Sequence, residues 1–189
     1  MKSAYGVVIG DFLKIERKIC SICGLIKRYL INKITYENNC EYVATAHNLD
    51  DLCGFALKNL VSGELDLLLR MALKNPGDKT LKLVTKVKPL AKTYESEIRM
   101  YCNIKGLTYV KGTCPYSKGG KLYGYKEALD NLEKSDPTIK LRFFKTYNKI
   151  RKLLEPGKPP KLKTCKICGY ASTKDICLFC RTIEKVRSK

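Results

Sequence analysis

Acidic residues are scarce in this chain: 18 Asp and Glu stand against 37 Lys and Arg in 189 residues, a formal net charge of +19. A balance this basic favours nucleic acid or another polyanion as partner; the plain alternative is a solvated, lysine-rich surface. Histidine is scarcer still, with His47 alone. No apolar stretch approaches the roughly 20 residues that a membrane-spanning helix needs, which sets aside a membrane protein. Between Met1 and Lys18 the one apolar run, Val7-Val8-Ile9, is broken by Asp11 and is too short for a secretory signal. There is no tandem repeat. One medium α/β domain with a small appendage is the natural expectation for this length.

Cysteine, by contrast, is abundant, with ten residues. Without a secretory signal, and with four of the cysteines in metal spacing, a reducing cytoplasmic setting fits better than a disulfide framework. Cys165-x2-Cys168-x8-Cys177-x2-Cys180 supplies four soft ligands on two facing turns, which suits tetrahedral zinc. Free or disulfide-bonded thiols are the alternative there. Cys20 and Cys23 form an isolated pair, and Cys114, before Pro115, places a third thiol in a loop. Those three would make an incomplete zinc site or would equally hold a 4Fe-4S cluster with one iron open. Cys40 and Cys53, in apolar surroundings, read as core thiols.

The residues Ile22, Leu25, Ile26, Tyr29, Leu30 and Ile34 recur at helical spacing from Cys20 to Asn38. A strand is expected over Glu41–Ala46, a helix over Asp50–Leu60, and a third helix over Glu64–Lys74. The alternation at Leu81–Val87 predicts another strand, followed by a helix over Tyr94–Lys105 and a short strand over Leu107–Lys111. Helices over Tyr125–Lys134 and Pro137–Leu154 complete an α/β layer with right-handed crossovers. Glu155–Pro160 reads as a stiff linker. The expected organisation is thus an α/β domain over 1–155, a linker over 156–164, and a zinc finger with a basic tail over 165–189.

Several residues carry chemistry. Lys27 lies one turn beyond Cys23 on the same face, where it holds phosphate or stabilises developing charge, or is simply solvated. Asp50 and Asp51 sit where a strand turns into a helix, placed either to coordinate Mg²⁺ beside nucleotide phosphates or to cap the helix; Asp50 suits the capping role and Asp51 the site role. His47, at the strand end, is a structural hydrogen-bonder or a site residue. Arg142, Lys145, Lys149 and Lys152 form a basic stripe opposite Phe143, Tyr147, Ile150 and Leu154. From Arg142 to Lys163 there are eight basic residues and one acid, Glu155. Such a stripe grips phosphates without sequence choice, or else is a solvated helix face.

Four motifs in this order resemble the tRNA 2-thiouridine synthetases: Cys20-Ser21-x-Cys23-Gly24-x-x-Lys27-Arg28; Thr45-Ala46-His47-Asn48-Leu49-Asp50-Asp51; Cys114-Pro115-Tyr116; and the terminal four cysteines. That family belongs to the TtcA/TtuA group of the PP-loop ATPase superfamily. The resemblance implies a parallel-sheet domain like the adenine nucleotide alpha hydrolases, plus a four-cysteine zinc finger. It implies that ATP, with Mg²⁺, adenylates the C2 oxygen of a tRNA uridine and that sulfur then displaces AMP. It further implies a 4Fe-4S cluster on Cys20, Cys23 and Cys114, catalytic roles for Lys27 and Asp51, and a ubiquitin-like sulfur carrier or sulfide as donor. A finger that helps hold tRNA and contributes to a homodimer is also implied. The family's Ser-Gly-Gly-x-Asp-Ser phosphate loop does not occur here; Gly119-Gly120 is the only glycine pair and lacks the following Asp-Ser. The chain therefore reads as the C-terminal portion of such an enzyme, or alternatively as a tRNA-binding zinc module or one half of a split enzyme; a degenerate gene product is the inert alternative.

Overall fold

The structure, a computed structural model, describes residues 5–14, 19–110, 112, 114, 116, 121–154 and 161–188. The chain divides into two compact units. The first comprises Met1–Val43, Pro76–Lys86 and Pro160–Lys189; the second comprises Ala44–Asn75 and Val87–Pro159. Three short strands, β1 (Tyr42–Ala44), β2 (Lys74–Asn75) and β3 (Thr85–Val87), are ordered β1-β3-β2 in a mixed α/β arrangement that contains parallel strands. Among the described residues, no helix is long and apolar enough to cross a membrane.

The first unit is built on α1 (Ile19–Glu37). Ile19, Ile22 and Ile26, at helical spacing, bury one stripe. They join Val7, Phe12 of a 3-10 turn at Ile9–Lys14, and Phe179 and Ile183 of α7 (Leu178–Arg187). Each such burial stabilises by roughly 1.5–3 kcal/mol. The Tyr29 ring stacks on Phe179 at 3.7 Å, and Tyr5 meets Phe179 edge-on at 5.1 Å. Cys165, Cys177 and Cys180 belong to the same buried cluster. The four-cysteine segment therefore shares a core with α1 instead of standing apart as an appendage. Its chain enters as the antiparallel pair β4 (Lys163–Thr164) and β5 (Ala171–Ser172), with Lys163 opposite Ser172 and Thr164 opposite Ala171. Buried Asn32 of α1 donates to Lys82 O (2.8 Å) and accepts from Val84 N (3.1 Å), pinning the turn that precedes β3. That turn needs Gly77, since a Cβ there would lie 2.3 Å from Leu83 O.

The second unit is helical around α2 (Leu49–Val61). Leu49, Leu52, Cys53 and Ala56 of α2 pack with Leu129 of α5 (Lys121–Glu133) and with Phe144 and Tyr147 of α6 (Ile139–Leu153). The Tyr147 hydroxyl donates to Leu68 O (2.8 Å), at the end of α3 (Leu65–Leu69), and lies 3.1 Å from Met71 O. Completing the unit is α4 (Glu95–Ile104).

Three elements differ from the sequence expectation. The helix expected over Glu64–Lys74 ends at Leu69, because the following residues join the sheet: Lys88 N donates to Leu73 O (3.1 Å). Tertiary pairing overrides helix preference here. Of the strand expected over Leu81–Val87 only Thr85–Val87 forms, since Asp78 accepts from Thr80 N (2.9 Å) and draws Lys79–Leu81 into a 3-10 turn. The strand expected from Leu107 is absent over the described residues 107–110, which follow Gly106 in exposed irregular backbone. The expected linker at Glu155–Pro160 and the pair Gly119-Gly120 lie outside the described residues.

Candidate functional site

The segment after β1 turns directly into α2. Thr45 N donates to Val87 O (2.9 Å) and Leu49 N to Thr93 O (3.0 Å). Asn48 is the N-cap: its Oδ1 accepts from Asp51 N (2.8 Å), while Asp51 Oδ2 accepts from Asn48 N (3.3 Å). This reciprocal pair is a capping box. Asp50 and Asp51, successive on the first turn, then diverge by about 100° around the helix axis.

Asp50 is buried, and both of its oxygens are engaged. Oδ2 accepts from Glu95 N (2.7 Å) at the start of α4, and Oδ1 lies 2.5 Å from Lys140 Nζ of α6. Lys140 also reaches Asp130 (2.5 Å) and Glu133 (2.8 Å) of α5. Asp51 Oδ1 lies 2.8 Å from Lys126 Nζ, which also meets Glu95 Oε2 at 3.0 Å. All four carboxylate oxygens of the Asp50-Asp51 pair thus accept from donors of this chain, and two of them face ammonium groups that take the place a divalent cation would need. The pair does not fit a resident Mg²⁺. Asp51 closes the capping box of α2, and Asp50 caps α4.

Lys126 and Lys140 were not singled out by the sequence reading. Burial works against the charge on each, but Asp51 and Glu95 around Lys126, and Asp130, Asp50 and Glu133 around Lys140, hold both ammonium groups above the usual lysine value. A cleft of about 870 Å³ opens beside them, lined by Asp50, Glu95, Arg99, Lys126, Glu133 and Lys140 among others. The sequence held two signals for these lysines. Lys140, Phe144 and Tyr147 occupy i, i+4 and i+7, the buried stripe of α6. Gly54 stands in mid-helix, where glycine marks a close approach.

The other predicted residues fall as follows. His47 is half-buried, and its Nδ1 lies 2.9 Å from Thr45 Oγ1. Burial lowers its pKa, opposed by Asp51 and assisted by Lys88. The Thr45 contact is what the structural reading requires, and burial favours the neutral ring. Cys20 and Cys23 lie one turn apart at the start of α1, the first exposed and the second half-buried, with exposed Lys27 one turn further on. These three belong to the first unit and exposed Cys114 to the second. Arg142, Lys145, Lys149 and Lys152 are all exposed on α6, and Arg142 is ion-paired with Asp136. Ile150 and Leu154, expected on the apolar side, are exposed. Cys53 is a core thiol, raised to about 12 by burial and by Asp50 nearby. Cys40 is not; it sits exposed after the left-handed Asn39 that ends α1.

The four terminal cysteines converge. Their sulfurs all lie within 4.8 Å of one another. Cys168 Sγ and Cys177 Sγ are 3.7 Å apart, matching the edge of about 3.8 Å that zinc–sulfur bonds of about 2.3 Å give a tetrahedron. Cys177 N donates to Cys165 Sγ (3.2 Å) and Cys180 N to Cys177 Sγ (3.4 Å). Burial disfavours the Cys165 thiolate, yet the backbone amides of Cys168, Cys177 and Ile167 outweigh it and bring the thiol down to about 6. Burial and neighbouring thiols push Cys180 up. The donor set fits one structural zinc ion.

Comparison with known proteins attaches a class to this arrangement: over part of their length, the chain is similar to tRNA 2-thiolation sulfurtransferases. It is 39% identical over 182 residues to the tRNA-5-methyluridine(54) 2-sulfurtransferase of Pyrococcus horikoshii, an alignment covering 96% of this chain and 58% of that protein. Its identity to the enzyme of the same name from Thermus thermophilus is 37% over 191 residues, covering 98% and 58%. Among solved structures, the U34-tRNA thiolase NcsA from Methanococcus maripaludis with its 4Fe-4S cluster superposes with a TM-score of 0.69 at 32% identity, over 88% of this chain and 52% of that one. The chain thus spans a little over half the length of these relatives. No family model matches it.

Proposed function

We propose that the chain is the C-terminal part of an ATP-dependent tRNA uridine 2-sulfurtransferase, carrying the cluster ligands, the aspartate of the reaction and the tRNA-holding surface. The observation that carries this reading is the alignment over nearly the whole chain with two uridine 2-sulfurtransferases at 37–39% identity. Cys20, Cys23 and Cys114 are the ligands of a 4Fe-4S cluster. Bound by three thiolates, such a cluster supplies one iron open to an exogenous sulfur species. Lys27, on the helix face of Cys20 and Cys23, neutralises phosphate charge. Asp51 acts at the uridine end of the reaction, held where β1 turns into α2. Cys165, Cys168, Cys177 and Cys180 hold zinc, which fixes the fold around α1. Lys145, Lys149 and Lys152, with Arg142, contact tRNA phosphates.

The overall reaction transfers AMP from ATP to the C2 oxygen of uridine with release of pyrophosphate; sulfide-level sulfur from a ubiquitin-like carrier or from sulfide then adds at C2, and AMP leaves with that oxygen, in the cytoplasm. A homodimer is part of the same reading. The backbone cradle for ATP phosphates and Mg²⁺ is assigned to sequence beyond this stretch, because no Ser-Gly-Gly-x-Asp-Ser loop occurs within it.

The test is anaerobic purification followed by reaction with Mg-ATP, sulfide and tRNA, with nucleosides read by mass spectrometry. Iron, acid-labile sulfide and ATP-dependent 2-thiouridine are the expected results. A protein that binds neither iron nor tRNA overturns the reading. Cluster and tRNA binding, with thiolation only after a separate nucleotide-binding protein is added, would identify a split enzyme; tRNA binding without iron would identify a non-catalytic zinc module.

A further inference from the structure

We propose that Lys126 is the positioning residue for Asp51, and that Gly54 exists to seat it. This rests on the role given to Asp51 above. Asp51 leaves the first turn of α2 with one oxygen fixed by the capping box, which alone allows the carboxylate to swing about that contact. Lys126 Nζ, arriving from α5, meets the other oxygen at 2.8 Å and is steadied by Glu95 Oε2 at 3.0 Å. The side chain is 19% exposed, so its ammonium is partly withdrawn from water, where an ion pair is stronger than at the surface. Two contacts on two oxygens fix a carboxylate plane, and one does not.

The route of the lysine stem is the independent observation. A Cβ built on Gly54 would lie 2.9 Å from Lys126 Cγ and 3.3 Å from Leu122 Cδ1. Gly54 follows Asp51 by three residues and so lies on the same face of α2. Mid-helix glycine is unfavourable to the helix itself, and here its vacant side is where the Lys126 stem crosses. The clash is at the stem, not at the flexible tip, so an alanine would move the ammonium off Asp51 while leaving every charge in place.

The experiment measures single-turnover 2-thiolation and KM for tRNA in the full protein as the cell makes it, comparing Lys126→Met, Lys126→Arg, Gly54→Ala, Asp51→Asn, and Asp51→Asn combined with Lys126→Met. A misplacement of about 1 Å costs about 100-fold in rate. Lys126→Met should therefore lower the rate about 100-fold with KM for tRNA unchanged, and Lys126→Arg should recover part of it. Gly54→Ala should lose rate without losing thermal stability. The double variant should be no slower than Asp51→Asn alone, because a lysine that acts only through Asp51 has nothing left to position. A purely structural lysine would add its loss to that of Asp51→Asn.

Full activity in Lys126→Met while Asp51→Asn is dead overturns this inference and leaves the proposed function standing. Full activity in Asp51→Asn overturns both. A second readout needs no turnover: nitrogen NMR of lysine side chains should show a slowly exchanging Lys126 ammonium that disappears in Asp51→Asn. A Lys126 signal unaltered by Asp51→Asn also overturns the inference.

Discussion

Replacing Lys140 with methionine tests the polar network beneath the site most directly. Methionine keeps most of the lysine stem, so packing against the α2–α5–α6 core is largely retained and the charge is what is lost. Lys140 Nζ serves three carboxylates, but they are not equivalent. Asp130 is 56% exposed and rehydrates when the ammonium is removed, so its share is that of a surface pair, below about 1 kcal/mol. Asp50 is only 9% exposed and stays under α4 as the acceptor of Glu95 N, so it rehydrates far less. Glu133 stands between the two, with Oε1 buried and without a hydrogen-bond partner among the described residues. The loss is therefore set by stranding Asp50, on the order of 3–5 kcal/mol, or a fall in Tm on the order of 15 °C. Urea and thermal unfolding followed by circular dichroism measure it. Adding Asp50→Asn should restore much of the stability, because asparagine still accepts from Glu95 N and carries no stranded charge. A Lys140→Met protein within about 1 kcal/mol of wild type would refute this reasoning, and so would a double variant whose loss equals the sum of the two single losses.

Elemental analysis should find one zinc per chain, and Cys177→Ser should lose it together with the near-ultraviolet signal of the Tyr29–Phe179 stack; a retained stack would separate the metal from the α1 core. Cys114→Ala should abolish iron binding and spare zinc, whereas unchanged iron content would defeat the three-cysteine assignment. Replacing Lys145, Lys149 and Lys152 together with alanine should reduce the slope of log affinity for tRNA against log salt by about 2–3. Arg142→Ala should change that slope less, since Asp136 already pairs its charge. The pKa of His47 is lowered by burial, so the unfolded chain binds a proton that the folded chain refuses. Stability is then fully present above the ordinary histidine value of 6.5 and is lost as pH falls from there through the lower folded value. His47→Asn should remove that acid-side slope, and an unchanged slope would assign it to another group.

The features that spacing alone encodes were legible in the sequence. Four cysteines in two Cys-x2-Cys pairs announced the convergence of their sulfurs within 4.8 Å of one another, a spacing that suits tetrahedral coordination. The helix α1 showed in its apolar period, since the burial of one stripe, Ile19, Ile22 and Ile26, is what makes it fold. The partners of Asp50 and Asp51 were not legible. Lys126 follows Asp51 by 75 positions and Lys140 follows Asp50 by 90, and no local pattern joins residues that far apart. A lysine in a helix is ordinarily read as solvated, so Lys140 was passed over although it occupied a core position. The end of the helix expected over Glu64–Lys74 was misread for the same reason, since the Lys88 N–Leu73 O bond decided it, whereas the start of the strand expected from Leu81 was lost to a local contact, Asp78 accepting from Thr80 N.

The sequence Asn48-Leu49-Asp50-Asp51 shows how little chain is needed to connect a strand end to three other helices. Asn48, four residues beyond the end of β1 at Ala44, caps α2, and that fixes the rotation of everything after it. With the cap in place, Leu49 must point into the core, where it is fully buried. Asp50, a further 100° around, points to the start of α4 and to Lys140, and Asp51, another 100° on, points to Lys126 of α5. Two neighbouring carboxylates thus serve opposite purposes because a helix turns. Asp50 lies deep and ties α4 and α6 to α2, which makes the platform rigid. Asp51 lies nearer the surface, 27% exposed, tied at both oxygens yet still open to a substrate. The adjacency that in the sequence suits either a metal site or a helix cap is, in the fold, a pair of ties to different helices: Asp50 to α4 and α6, Asp51 to α5.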